Sequence, residues 1–199
     1  VFGNFRTSLF QAVSILTTTG FGTADIAYWP ALAQTLLLLL MLIGGSYGST
    51  GSGIKVLRVV VIIKTIGYSI KKIMLPKSAM VRLKVAENSL NYDEITNVFA
   101  FFTAYLIIVF LGACIVAELG YGGYESLSIS LSAMSNVGPT YLPLFIEESD
   151  GSLQPNPGWF EMPDVGKITL ILLMWIGRLE IFPALIIFTG FFRMKKKKG

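Results

Sequence analysis

The sequence predicts an all-α integral membrane protein of span/pore-helix/span repeats, with three transmembrane spans and two re-entrant loops. Three observations lead there: apolar stretches long enough to cross a bilayer, shorter helical stretches that run into glycine-containing segments, and basic residues gathered on one side of the chain. Composition sets the frame, since 53% of the 199 residues are apolar and only 14% are charged, far from the balance of an average soluble domain. The single cysteine, Cys114, excludes an internal disulfide framework, and the absence of histidine removes the commonest metal ligand and general base. Enzymatic readings therefore start at a disadvantage.

A helix needs about 20 apolar residues to cross a hydrocarbon core roughly 30 Å thick. Residues 29–63, 95–119 and 165–192 meet that requirement. Residues 8–16 and 125–135 are apolar but short; at about 1.5 Å per residue they reach about half way across. Each is read as a half-spanning re-entrant helix, although length alone also fits an amphipathic surface helix. The first residues lack the basic, apolar and small-residue progression of a signal peptide, so further chain upstream of Val1 is expected.

Orientation follows from Lys and Arg, which accumulate in cytoplasmic segments near membrane ends. Residues 55–84 hold Lys55, Arg58, Lys64, Lys71, Lys72, Lys77, Arg82 and Lys84, and the C-terminus holds Arg193 and Lys195 to Lys198. Thirteen of the sixteen basic residues thus fall on one side, with the C-terminal tail and the basic connection placed in the cytoplasm of a multi-pass cell-membrane protein. Asp25, Glu118, Glu125, Glu147, Glu148, Asp150, Glu161 and Asp164 fall on the other side, where they would attract cations. The basic residues show no aromatic-interleaved patch, which argues against nucleic acid as a partner. The chain then divides into a first repeat without its outer helix (1–63), a basic connection (64–94), a complete repeat (95–193) and a basic tail (194–199).

The first short helix leads into Thr17-Thr18-Thr19-Gly20-Phe21-Gly22. From Thr18 to Gly22 this matches the Thr-Val-Gly-Tyr-Gly pattern of potassium filters at Thr, Gly and Gly, with Phe in place of Tyr. Carbonyls that replace an ion's hydration shell must turn toward one axis; glycine permits the dihedrals and threonine adds a hydroxyl. A half-helix ending there also aims its negative dipole end at the cation. The second short helix leads into Asn136-Val137-Gly138-Pro139, which alone would pass for a plain turn and gains its meaning as the second copy of one unit. Thr18, Thr19, Gly20, Phe21 and Gly22, with Asn136, Val137, Gly138 and Pro139, are the expected filter residues. Thr18, Thr19, Asn136 and Val137 are the expected K+ ligands.

Residues 44–53 interrupt the first span with Gly44, Gly45, Ser46, Gly48, Ser49, Thr50, Gly51, Ser52 and Gly53. Each helical glycine costs close to 1 kcal/mol relative to alanine, so the helix breaks at membrane depth. Irregular backbone there survives only against protein or along a water-filled path. A phosphate-binding loop would need Gly-Lys-Ser/Thr at its end, whereas Gly53-Ile54-Lys55-Val56 misplaces the lysine.

Taken together, Thr18-Thr19-Gly20-Phe21-Gly22, the run Gly48-Ser49-Thr50-Gly51-Ser52-Gly53-Ile54-Lys55, Ser135-Asn136-Val137-Gly138-Pro139 and Trp175-Ile176-Gly177-Arg178-Leu179-Glu180 resemble the Trk/Ktr/HKT potassium transporters, specifically the C-terminal half of a TrkH-type subunit. The resemblance implies four repeats around one pore, with Gly20 and Gly138 as the third and fourth filter glycines and 44–53 as an intramembrane gating loop. It also implies a cytosolic nucleotide-binding regulatory subunit on the inner face and homodimers of complete subunits. This chain carries two filter loops rather than four, so the other half of the pore must come from missing N-terminal chain or a second copy.

Arg178 falls near the centre of the predicted last span, where an ionised side chain costs about 2.5–3.5 kcal/mol on insertion scales and is functional by default. It is expected to face the pore below the filter or the glycine-rich loop; a pair with another span is the structural alternative, and Glu180 is assigned that structural role. The function expected is permeation of K+, with Na+ as a possible second ion, in a lipid bilayer and with no organic cofactor. A secondary transporter with broken helices and a non-conducting assembly subunit are the alternatives.

Overall fold

The computed structural model describes residues 2–46, 48–49, 51–74, 84–85, 88–89, 92–143, 145–147, 153–181, 183–184 and 186. Helix α1 (Phe2–Leu16) is followed by a 3-10 turn at Ile26–Tyr28, then by α2 (Ala31–Ile43) and α3 (Val56–Met74). An antiparallel hairpin, β1 (Lys84–Val85) and β2 (Asn88–Ser89), precedes α4 (Tyr92–Glu118) and α5 (Gly123–Ser135). A second hairpin pairs β3 (Phe145–Glu147) with β4 (Leu153–Pro155), and the single-turn α6 (Pro157–Phe160) leads into α7 (Asp164–Leu179).

Helix α4 is the one described helix long and apolar enough to cross a membrane, with 27 residues and hence a length of about 40 Å. Phe101, Tyr105, Val109, Gly112 and Val116 form its buried stripe at three- and four-residue spacing. Its other face exposes Leu106, Ile107, Phe110, Leu111 and Ile115. Exposed apolar residues also cover α2 at Leu32, Leu36 and Leu39 and α7 at Val165, Ile168 and Ile171. Helices apolar on both faces suit lipid on the outside and protein on the inside.

The core forms around α5, which packs on α4, α7 and α2. Ser126, Ser128, Ser130, Ser132 and Ser135 are buried on it beside Ile129, Leu131, Ala133 and Met134. Serines this small let neighbouring helices come close. Two of them are satisfied by near neighbours in space: Ser128 donates to the Glu125 carbonyl at 2.8 Å, and Ser135 Oγ pairs with the Tyr105 hydroxyl of α4 at 2.8 Å, whereas Ser130 Oγ is buried without a partner among the described residues. Glycines on the partners complete the fit. A Cβ on Gly112 would lie 2.7 Å from Leu173 Cδ1, and one on Gly177 would lie 1.8 Å from the Met134 carbonyl oxygen.

Several expected boundaries move. The first short helix begins at Phe2 rather than at residue 8, and its 15 residues span about 22 Å rather than half a bilayer. The first predicted span divides as expected at Gly44, but α3 continues to Met74 instead of stopping at residue 63, so part of the presumed basic connection is helix. Helix α4 starts at Tyr92 rather than residue 95, and α5 at Gly123 rather than residue 125. In α5 the shift is explained by Glu125, whose Oε2 accepts from the Gly122 N–H at 3.2 Å and caps the first turn. The third span is not continuous: α7 stops at Leu179 and Glu180 takes φ +64°. Helical backbone resumes at Ile181, so Arg178 sits in the last turn of α7, next to this interruption. The two short hairpins also add strand to a fold predicted as all-α. Thr50, most of the connection at 75–91 and the tail at 194–199 lie outside the described residues.

Replacing Gly177 with alanine is expected to force α7 away from α5 and to destabilise the detergent-solubilised protein by about 1–3 kcal/mol, the usual range for overpacking. Gly67 in α3 has nothing within 4 Å of an added Cβ; Gly67→Ala should raise the thermal midpoint by the equivalent of about 0.5–1 kcal/mol. Thermal unfolding followed by circular dichroism checks both signs.

Candidate functional site

Helices α1 and α5 end in the same way. Thr18 N–H donates to Ile15 O at 3.0 Å and Thr19 N–H to Ser14 O at 2.9 Å; at the matching positions of α5, Asn136 N–H donates to Ala133 O at 3.1 Å and Val137 N–H to Ser132 O at 3.1 Å. Paired bonds of this kind around one left-handed residue form a Schellman cap. The left-handed residues are Thr18 (φ +55°) and Asn136 (φ +53°). Asparagine tolerates that conformation, but a β-branched threonine there is strained, a feature that concentrates at functional sites.

Beyond each cap the backbone alternates in hand. Gly20 has φ +82° and Gly138 φ +105°, while Thr19, Phe21, Val137 and Pro139 keep negative φ. In an ordinary strand successive groups point to opposite sides; alternating the sign of φ brings successive carbonyls toward one side. Among the described residues, the carbonyls of Thr18, Thr19, Gly20, Asn136, Val137 and Gly138 accept no hydrogen bond from another described residue. Of these residues Val137 is buried, Thr18, Gly20 and Asn136 are half-buried, and Thr19 and Gly138 are exposed.

The two segments meet directly. A Cβ on Gly20 would lie 2.0 Å from the Val137 carbonyl oxygen, so only glycine allows this approach. Serines from the supporting helices fix both segments. Ser14 Oγ donates to Phe21 O at 2.7 Å, and Ser132 Oγ accepts from Gly138 N–H at 3.0 Å. Gln11, 1% exposed, donates to Ala24 O at 2.7 Å. A cavity of about 590 Å³ opens above, lined by Gly20, Gly22, Asp25, Gly138, Pro139 and Thr140 among others. Phe21 and Gly22 are exposed at its rim. On the far side Tyr141 donates through its hydroxyl to Gln34 O and stacks on Tyr124 with ring centroids 5.2 Å apart, tying the second loop to α2.

Beneath these segments lies the glycine-rich stretch. Gly44, with φ +67°, and Gly53, with φ +96°, pack backbone to backbone; a Cβ on Gly44 would meet Ser52 O at 2.5 Å. Ile54 N–H and Lys55 N–H reach back to Leu42 O and Ile43 O at 3.2 and 2.8 Å, closing the stretch into a compact loop between α2 and α3. Ser49 Oγ donates to Ser46 O at 2.7 Å; Gly45 is buried, while Ser46 and Gly48 form the exposed outer part of the loop. Arg178 lines a cavity of about 290 Å³ together with Ser49, Gly51, Ser52 and Gly53, beside the loop as the sequence suggested.

Glu180 takes the interhelical role assigned to it: Oε1 meets Lys55 Nζ at 2.7 Å and Oε2 meets Arg58 Nη2 at 2.9 Å. Arg58 also stacks over Phe101, 4.0 Å from the ring centroid. Lys55 and Arg58 were counted among the topology charges; they are instead internal partners that join α3 to the end of α7 and to α4. Sequence reasoning also missed Ser14, Ser132 and Gln11. The signal was present, because Ser14 and Ser132 precede Gly20 and Gly138 at the same offset.

Comparison with known proteins identifies the family. The model of the TrkH family, described as cation transport protein, matches residues 2–194. An uncharacterized cation transporter of Methanocaldococcus jannaschii is 39% identical over 181 residues, covering 91% of this chain and 35% of that protein. The Trk system potassium uptake protein TrkH of Escherichia coli K12 is 32% identical over 185 residues, covering 93% of this chain and 36% of the relative. The crystal structure of the potassium transporter TrkH from Vibrio parahaemolyticus superposes with a TM-score of 0.78 at 32% identity, over 94% of this chain and 37% of that one. The chain thus spans just over a third of the length of these relatives. It belongs to the TrkH family of cation transport proteins, a family of ion transporters and not of enzymes.

Proposed function

We propose that the chain supplies two of the filter-bearing units of a membrane pore selective for K+, with the glycine-rich loop as its gate. One observation carries the reading: two adjacent segments at the C-terminal ends of α1 and α5 present backbone carbonyls without hydrogen-bond donors. Oxygens left without a donor can coordinate a cation in place of its water. The dipoles of α1 and α5 favour positive charge at the same place. Carbonyls of Thr18, Thr19, Asn136 and Val137 contribute ligands, and Gly20 and Gly138 give the backbone its shape.

Two units do not encircle an ion, so the complete pore draws its other units from further chain of the same polypeptide or from a second copy. Complete subunits pair as homodimers in the cell membrane, and a cytosolic nucleotide-binding subunit regulates them from the face that carries the basic connection and the C-terminus. The relatives named for potassium uptake and the membrane-suited apolar exterior support this reading.

The filter is tested by Gly138→Ser in the assembled transporter. An added Cβ meets nothing within 4 Å there, but φ is +105°, so the change strains backbone without a clash. Left-handed strain of roughly 1–2 kcal/mol corresponds to about a tenfold loss of K+ over Na+ discrimination in competitive Rb+ uptake. Gly20→Ser should lose discrimination and also destabilise the fold, because its side chain would collide with Val137. Unchanged selectivity in a folded Gly138→Ser protein removes this loop from the filter.

The gate is tested by shortening the loop within residues 46–51 and, separately, by Arg178→Ala. A unit charge about 8 Å from the path, at an effective dielectric constant of about 20, opposes a cation by about 2 kcal/mol. Its removal should raise Rb+ flux into vesicles by up to about thirtyfold, and the shortened loop should act in the same direction. Flux at or below the wild-type level in both folded variants would make the loop a structural kink.

A further inference from the structure

The left-handed cap residue of each filter segment, the same position in both repeats, touches the glycine-rich loop at consecutive residues. Thr18 Oγ1 lies 2.6 Å from where a Cβ on Gly51 would sit. Asn136 Nδ2 donates to Ser52 Oγ at 3.1 Å and to Met174 O in α7 at 3.1 Å. Ser52 is 5% exposed, and its own backbone carbonyl packs against Gly44 where the loop closes. One primary amide therefore spans three parts: the filter, whose backbone it belongs to, the loop, and the helix that carries Arg178.

From this geometry we infer that Asn136 is a positioning residue that couples cation occupancy of the filter to the position of the loop, with Thr18 as a steric stop on the other side. The inference rests on the filter and gate assignments above and adds the link between them. Asn136 has two amide hydrogens, and both are used. When the loop withdraws, the hydrogen bonded to Ser52 loses its acceptor in a partly buried site, where an unpaired donor is expensive. The side chain then turns, and because Asn136 holds the left-handed cap directly before Val137 and Gly138, its backbone moves with it. A cation that holds the carbonyls in place resists that movement. Coupling of this kind is reciprocal: the cation steadies the loop, and a withdrawn loop weakens the hold on the cation.

The test uses the assembled transporter with its exposed Cys114 replaced by serine and a reporter cysteine at Ser46, which is exposed on the loop. Modification of Ser46→Cys by a maleimide is timed in K+ and in N-methyl-D-glucamine at equal ionic strength. Modification should be at least about fivefold slower in K+, the low end of ordinary site-to-site coupling. Ser52→Ala, which leaves the filter chemistry untouched, should bring the ratio close to one, and Ser52→Thr, which keeps the hydroxyl, should restore it. Asn136→Gly is the second variant, since glycine accepts the left-handed backbone and lacks the amide. A ratio near one in the parent protein, or a parent-like ratio in both Ser52→Ala and Asn136→Gly, overturns the coupling. These outcomes are separable from failure of the gate, because a gate that still responds to loop shortening while its labelling ignores Ser52 loses only the link.

Discussion

Most of the structure converges on the last turn of α5. Within the few residues from Met134 to Val137, the helix meets Gly177 at the Met134 carbonyl and Tyr105 at the Ser135 hydroxyl. It meets Ser52 and Met174 at the Asn136 amide and Gly20 at the Val137 carbonyl. These contacts are made largely by backbone or by small side chains, so they leave little room to adjust. Interiors packed this tightly transmit displacement instead of absorbing it. That stiffness suits the filter proposed above, in which carbonyls that replace water around an ion would have to keep their spacing when the ion leaves. The serines of α5 and the glycines of α4 and α7 are the sequence features that bring the helices close enough to provide it.

The ion pairs beneath the loop illustrate a second constraint. Lys55 and Arg58 follow the glycine-rich stretch directly, and Glu180 follows α7 at a point where the backbone has turned left-handed. A carboxylate between two cations offsets part of the cost of keeping charge away from water, and the Phe101 ring under Arg58 adds a further attraction for the guanidinium. Three helices are fixed to one another at the base of the loop. The loop is thus anchored at its α3 end and held by hydrogen bonds at its filter side, while Ser46 and Gly48 remain exposed.

How much of this could be read in the sequence depended on which interactions are local. The broken first span was legible because clustered glycines cannot sustain helix, and the two matching segments at residues 18–20 and 136–138 were legible because a short helix followed by a glycine pattern occurs twice. Arg178 was correctly placed beside the loop, but the end of its helix was not foreseen, since glutamate at position 180 gives no hint of positive φ. Lys55 and Arg58 were misplaced because a count of basic residues along the chain does not reveal a carboxylate more than a hundred residues away. The early start of α1 and the extension of α3 to Met74 show the usual weakness of boundaries drawn from hydropathy, where helix continues past the apolar stretch.

The same reasoning explains why the loop is rich in glycine and serine rather than merely short. Glycine at Gly44 and Gly53 lets the two ends of the loop touch through backbone, so the break closes without leaving a hole beside the neighbouring helices. Gly51 leaves space for the Thr18 hydroxyl, and Ser52 supplies an acceptor to the Asn136 amide. A loop with larger apolar side chains would pack more firmly under the filter and would open only at the cost of exposing them. Small and polar residues make the closed state specific through hydrogen bonds whose net worth is only about 1 kcal/mol each. Contacts few and weak enough to be shifted by a single bound ion suit the gate proposed above.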